Sequence, residues 1–235
     1  MIPVDSLLYK IDQRLNKLST NDHQQIQLED KILALNEAQL KLIKQKLEGM
    51  DSSKRRYEDL ERLVEMPEAH PLELHLTNKD WNKWTASVED LSPAYMFYAD
   101  SYVIAEKGRC KNHKIWINQD LAKHGDIAML LNNVHYKPSF EYQETFNYIS
   151  SDEISVFTDG TFTPLYLYLS YVRYPVYIDK AGYEKFDGSQ SADMDCELNA
   201  YLEDELLDLT VQNLAMYTEN APAVQSSQFR IQTNE

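Results

Sequence analysis

Residues Leu165 to Tyr174 (Leu-Tyr-Leu-Tyr-Leu-Ser-Tyr-Val-Arg-Tyr) are leucine, β-branched or aromatic almost without a break. A strand sends alternate side chains to opposite faces, so a face turned to water shows a polar residue at every second position. Here one face carries Leu165, Leu167, Leu169 and Tyr171 and the other Tyr166, Tyr168, Ser170 and Val172. Neither is a polar row, so the strand is expected to be covered on both sides. Pro175 removes a ladder donor and predicts a bend or an edge before Val176-Tyr177-Ile178.

The joint Asp179–Ala192 is rich in turn formers, Gly182, Asp187, Gly188, Ser189 and Ser191. A helix is expected to open among Asp193, Asp195 and Glu197, whose carboxylates suit free N–H groups and the positive helix end. Leu198, Leu202, Leu206 and Leu209 form one apolar stripe, and Leu207, Val211 and Leu214 a second. Two stripes require two packing partners, one of them expected to be the sheet.

The same passage carries a resemblance. Tyr171-Val172-Arg173-Tyr174-Pro175, Asp187-Gly188-Ser189, Asp195-Cys196-Glu197-Leu198 and Glu205-Leu206-Leu207-Asp208, with Ile32 through Leu47 near the N-terminus, resemble the head-to-tail connector proteins (neck and tail rings) of crAss-like bacteriophages. These segments together hold 32 of the 235 residues. The resemblance implies a virion structural protein without catalytic activity, assembled in the host cytoplasm. It would be a homo-oligomeric ring of about twelve copies, docked on the portal or an adjacent ring protein and letting DNA pass without sequence-specific binding.

With 235 residues, the chain is long enough to bury roughly 70–75% of its unfolded surface without metals or disulfides. Two cysteines, Cys110 and Cys196, and an N-terminus without basic flank or apolar run argue for a reducing environment. No stretch reaches the length of a membrane span. The formal charge of -15 opposes affinity for nucleic acid. Acids concentrate at Asp193, Asp195, Glu197, Glu203, Asp204, Glu205 and Asp208, with no Lys or Arg between Phe186 and Phe229. The plain reading is a solvated acidic face. Under the resemblance, Glu203, Asp204, Glu205 and Asp208 are candidates for the wall of a DNA passage that repels phosphate.

From the N-terminus, Asp5 is placed to cap a helix bearing Leu7 or Leu8, Ile11, Leu15 and Leu18. After Ser19-Thr20-Asn21-Asp22, a second helix shows Ile26, Leu33, Leu40 and Leu47 at seven-residue spacing, with Leu28, Leu35 and Leu42 beside them. Such a double stripe fits packing on two neighbours better than a coiled coil. It offers more apolar surface than one small body covers, which makes Ile26, Leu33, Leu40 and Leu47 the candidate oligomer interface. A third helix is expected from Asp51 through Tyr57, Leu60, Leu63 and Val64 to Pro67, then a linker to Pro71. The stretch with Trp81 and Trp84 reads as a loop. Tyr95–Ala105 and Lys114–Asn118 read as strands joined at Glu106-Lys107-Gly108-Arg109. A short helix opening at Asn118 or Gln119 and running through Leu121, Ile127, Leu130 and Leu131, weakened by Gly125, is expected next, then strands at Glu144–Ile149 and Ile154–Phe157 and a turn at Thr158-Asp159-Gly160-Thr161.

No phosphate loop, dinucleotide fingerprint or paired metalloprotease histidines occur. Cys110, His113, His124 and His135 lack the paired spacing of a zinc site. Asp193, Asp195 and Glu197 alternate as calcium ligands do, but the glycine and distal glutamate of such a loop are out of register, so capping is the better role. His70 and His75 lack the spacing of a helical ligand pair. No cofactor or metal is therefore expected. Sixteen tyrosines could form a stacking platform; the charge disfavours bases and leaves a carbohydrate-binding accessory module as the alternative function. The expected fold is α+β: an N-terminal helical arm (1–67), an antiparallel β body with a long C-terminal helix (68–220), and an extended tail (221–235). In that tail, Phe229 and Ile231 share one face around Arg230 and are the candidate docking element for a neighbouring ring.

Overall fold

The computed structural model describes residues 1–18, 26–48, 59–66, 71–89, 91–108, 110–117, 122–150, 152–185 and 188–217. The fold is α+β, with antiparallel sheets and a helix near the C-terminal end. The chain forms two compact units, Met1–Leu63 with Pro175–Glu235, and Val64–Tyr174. This differs from a division into arm (1–67) and body (68–220). The break at Val64 lies close to the expected one, but the C-terminal helix belongs with the N-terminal helices. The tail from 221 lies outside the described residues.

The described helices are α1 (Val4–Leu18), α2 (Leu28–Glu48), α3 (Ile127–Asn132) and α4 (Glu203–Tyr217). In the helical unit, α4 packs on both α1 and α2. The two stripes of α4 thus meet two helices, where one had been assigned to the sheet. Leu7 and Ile11 of α1, Leu35 and Ile43 of α2, and Leu206 and Leu207 of α4 are wholly buried. Helix α4 opens at Glu203, after a 3-10 turn over Ala200–Leu202, and not among Asp193, Asp195 and Glu197. Those acids are engaged elsewhere: Asp193 accepts from the Ala181 N–H, Asp195 from Val4 and Glu197 from Val176, each at 2.9 Å. The free N–H that needs capping at Val4 belongs to α1, so Asp195 caps a helix 191 residues away in sequence. Ile2 and Cys196 exchange backbone bonds of 2.9 and 3.0 Å beside it. Asp5 lies inside the first turn of α1 and pairs with Lys180 at 2.9 Å.

In the β unit the strands are β1 (Val64–Glu65), β2 (Pro71–Glu73), β3 (His75–Asn78), β4 (Lys83–Ser87), β5 (Tyr95–Lys107), β6 (Cys110–Ile117), β7 (Glu144–Thr145), β8 (Asn147–Ser150), β9 (Glu153–Phe157) and β10 (Thr163–Arg173). One sheet runs β1-β10-β5-β6-β7, with β2 also on β10; the other runs β3-β4-β9-β8. Pairing is antiparallel except for β6 with β7. The apolar cluster of the unit joins Val103 and Ala105 of β5, Leu167, Leu169 and Tyr171 of β10, and Ala86, Ile154 and Val156 of β4 and β9. Asn147 Nδ2 of β8 donates to Ser101 Oγ of β5 at 3.0 Å within it.

Three expectations give way here. The expected third helix falls partly on 49–58, outside the described residues, and is helical at Asp59 and Leu60; what departs is its end. Its end is a 3-10 turn, Glu61–Leu63, after which β-branched Val64 pairs with Val172 in β1. The Trp81–Trp84 stretch is the turn and second strand of the β3–β4 hairpin. Its polar residues make the turn: Asn78 Oδ1 accepts from Asp80 and Trp81, and Asn82 adopts φ 45. The strand β10 is buried along one face and unevenly on the other, where Pro164 and Val172 are buried. Leu167, Leu169 and Tyr171 are inside, while Tyr166 remains 38% exposed and Tyr168 half-buried. Tyrosine satisfies both environments, which is why an aromatic row does not by itself require a cover.

Candidate functional site

Helix α2 divides its two heptad stripes between inside and outside. Leu35 and Leu42 are buried with Ile32 and Ile43, whereas Leu33 is 55% exposed and Ile26, Leu40 and Leu47 are half-buried. Of the four residues read as an oligomer interface, Leu33 alone is exposed, its own unit covers the other three in part, and Ile26 lies two residues ahead of the helix. Exposed Glu29, Asp30, Glu37, Lys41 and Lys44 flank these four.

The four candidate passage acids are all engaged within the helical unit. Glu203 pairs with Lys10 at 2.7 Å, Asp204 with Arg14 at 2.5 Å and Glu205 with Lys46 at 2.8 Å, and Asp208 also pairs with Arg14. Asp208 is 4% exposed, in the seam against α1 rather than on a solvated face. The sequence showed no basic residue near these acids because their partners come from α1 and α2, far away along the chain. They act as helix-to-helix ties.

The joint after Pro175 holds the densest polar network among the described residues. Asp179, 6% exposed, accepts from the Tyr183 hydroxyl at 2.7 Å and pairs with Lys185 at 2.7 Å. It also receives the N–H groups of Lys180 and Ala192. Burial opposes ionisation of Asp179, but the bonds from Lys185, Tyr183 and the two amides outweigh it and hold its pKa below the usual carboxylate value. Burial and then the Asp179 carboxylate push the Tyr183 phenol up to about 12. Lys180 bridges Asp5 and Asp193 at 2.9 and 3.1 Å, and both raise its pKa. Asn36 of α2 ties the joint further, donating to the Ile178 carbonyl and accepting its N–H at 2.8 Å each. These bonds fix a backbone without regular structure. The turn formers of the sequence located this segment, but its partners were beyond reach.

The remaining candidates carry less chemistry. The side chains of Cys110 and His113 lie outside the described set, as do His70 and the docking residues Phe229, Arg230 and Ile231. His124 and His135 are exposed, His124 against the Tyr148 ring at 5.5 Å. No group of three His, Cys, Asp or Glu among the described residues is placed to hold a metal ion. Cys196 is buried and its thiol pushed up to about 11 by desolvation, which keeps it protonated and poorly nucleophilic near neutral pH. On the outer face of the larger sheet, Tyr168 stacks on Tyr102 with centroids 4.8 Å apart and planes 3° apart, next to exposed Tyr166. No helix among the described residues is long and apolar enough to cross a membrane. No protein-family model matches the chain, and no curated protein sequence matches it.

Proposed function

We propose that this chain is a virion assembly protein without catalytic activity, a homo-oligomeric ring subunit of a bacteriophage head-to-tail connector or tail that bridges neighbouring rings. The resemblance of its two helical segments and of the Tyr171–Pro175 region to connector proteins of crAss-like phages supports the reading. The observation that carries it is the apolar row of exposed Leu33 with half-buried Leu40 and Leu47 on a helix whose opposite face is packed, continued by half-buried Ile26 just before it. Apolar residues repeated along one exposed face are the mark of a surface awaiting a partner. Passage of DNA through such a ring draws on the net charge of -15, which repels phosphate. Lys10, Arg14 and Lys46 offset part of the charge of Glu203, Asp204, Glu205 and Asp208, three cations against four carboxylates.

Native mass spectrometry of the protein alone and with its portal tests this reading, together with incorporation into particles. Ring-sized oligomers are expected, and Leu33→Asp with Leu40→Asp is expected to abolish incorporation while the circular dichroism spectrum stays unchanged. Full incorporation of the double variant would remove the stripe from the interface. A second reading, a carbohydrate-binding accessory module, rests on the Tyr102–Tyr168 stack beside Tyr166. Glycan-dependent quenching of tyrosine fluorescence, lost in Tyr166→Ala, would favour it over the ring.

A further inference from the structure

We propose that two copies of this chain pair through the outward face of α2, the helices running antiparallel about a two-fold axis between Leu33 and Leu40. The inference rests on the reading of the stripe as a self-contact and names the surface it meets, the same stripe on a second copy. It uses nothing of the ring or the virion.

The spacing comes first. Ile26, Leu33, Leu40 and Leu47 recur every seven residues, and a seven-residue seam keeps facing a neighbour only when that neighbour is another long helix. Helix α2 is 21 residues long, the longest described element of the chain, and carries Leu33, Leu40 and Leu47 of this seam, with Ile26 two residues ahead of its start.

The charges decide which helix, and in which direction. Among the exposed positions the first half carries only acids, Glu29, Asp30 and Glu37, the last accepting from the Tyr217 hydroxyl of α4, and the second half Lys41 and Lys44. Among the described residues, Glu29, Asp30, Lys41 and Lys44 have no ion-pair partner in their own chain, whereas Lys31 and Lys46, turned toward the unit, pair with Asp12 and with Glu205 and Asp59. A face acidic at one end and basic at the other is complementary to itself reversed. Parallel pairing would set Glu29 and Asp30 against their own copies, and like charges brought together select against that arrangement.

The register follows from the numbering. Setting Leu33 level with Leu40 of the second copy also sets Ile26 level with Leu47 and Glu29 level with Lys44, because the residue numbers in each pair add to the same total. Every one of these matches occurs twice across the two-fold axis, as an isologous contact requires. Slipping by one heptad removes an apolar layer and, in one direction, sets Glu29 against Glu37. The apolar layers supply the affinity, and the charges set direction and register.

The full-length protein tests this by sedimentation equilibrium over a wide concentration range, with exposed-site variants that leave the core intact. A concentration-dependent dimer is expected, lost in Leu33→Asp. Glu29→Lys alone and Lys44→Glu alone should each weaken pairing by about tenfold, since two attractions become two repulsions. The double reversal should return it to within about threefold of the original. Direction is read by mixing Glu29→Cys and Lys44→Cys chains, both in a Cys110→Ser background, with a short bismaleimide. Mixed cross-links should exceed those within either chain type. A monomer at all concentrations, a double reversal that stays weak, or cross-links mainly between like variants would each overturn the pairing. Ring-sized assemblies indifferent to both single reversals overturn it too, yet leave the ring reading standing. A charge-sensitive dimer that never enters a larger assembly does the opposite.

Discussion

The two compact units close themselves by different means. The β unit comes from one continuous run, Val64–Tyr174, and is held by strand ladders and an apolar cluster, with the Asn147–Ser101 bond as a polar bridge between the sheets. The helical unit joins Met1–Leu63 to Pro175–Glu235, and where the two segments meet, polar groups mark the seam. Asp195 caps Val4, Asn36 brackets Ile178, Arg14 holds Asp204 and Asp208, and Tyr201 donates to Asp59 at 2.6 Å. Segments distant in the chain can meet in many registers if only apolar surface guides them. Directional bonds select one, and that is the use of charge in this unit.

The contrast breaks most visibly along α2. Leu35→Asp places an unpaired carboxylate at a position with no solvent exposure, at a cost of several kcal/mol. It should unfold the helical unit while amide exchange in 64–174 stays slow. Leu33→Asp, two residues away, should change the denaturation midpoint by no more than about 0.5 kcal/mol of stability. Equal effects from the two variants, or loss of protection in both units, would mean that the units do not close separately.

A smaller effect is expected at the seam. Arg14→Met leaves Asp208 buried without its guanidinium, and loss of about 3 kcal/mol is expected in urea unfolding of the helical unit. Adding Asp208→Leu should recover most of it, since an apolar pair restores a compensated interior. If Arg14→Met alone is neutral, Arg14 is no tie between α1 and α4, and the passage-lining role returns for Asp204.

The smallest effect concerns pH. Asp179 has its folded pKa lowered, so its contribution is present above the unfolded value, about 3.9, and is lost as pH falls through the folded one. Lys180 and Tyr183 have theirs raised. Their contributions are full below the unfolded values, about 10, and fade as pH rises further, toward about 12 for Tyr183. Stability of the helical unit against pH should therefore fall below about pH 4 and again above about pH 10. Asp179→Asn should remove most of the acid limb and flatten the alkaline one in part, and Tyr183→Phe should flatten the alkaline limb and weaken the acid one. Limbs unaltered by either change would place the titrating groups elsewhere.

Much of the local structure was legible in the sequence. The positions Leu7, Ile11 and Leu15, the heptads of α2 and the β5–β6 hairpin around Gly108 each follow from periodicity or turn chemistry that neighbouring residues settle. What escaped has one physical cause, the polar bond between residues far apart in the chain. Asp193, Asp195 and Glu197 look like an N-terminal cap for their own helix because a carboxylate bears no mark of whose N–H it will accept. The same holds for Glu203 through Asp208, whose cations lie in α1 and α2. The candidate interface was legible as a stripe, since seven-residue spacing is local, but only burial distinguishes Leu33 from Leu35. The tyrosines of β10 misled for another reason, being at home in oil and in water alike.

The cap that Asp195 places on α1 also bears on how the protein is made. A ribosome delivers Val4 to Leu18 and the heptads of α2 first, then the entire β unit, and only afterwards Asp195 and α4. At about 5–20 residues per second, the buried faces of the first two helices wait on the order of ten seconds for the helix that covers them. During that interval Leu7, Ile11, Leu35 and Leu42 stand beside the Leu33 stripe as one continuous apolar surface, while the β unit is free to fold. Nascent chains on one message are thus most adhesive before Pro175–Tyr217 emerges. Moving the Pro175–Tyr217 segment ahead of Met1 by circular permutation should shorten that exposure and reduce aggregation during synthesis.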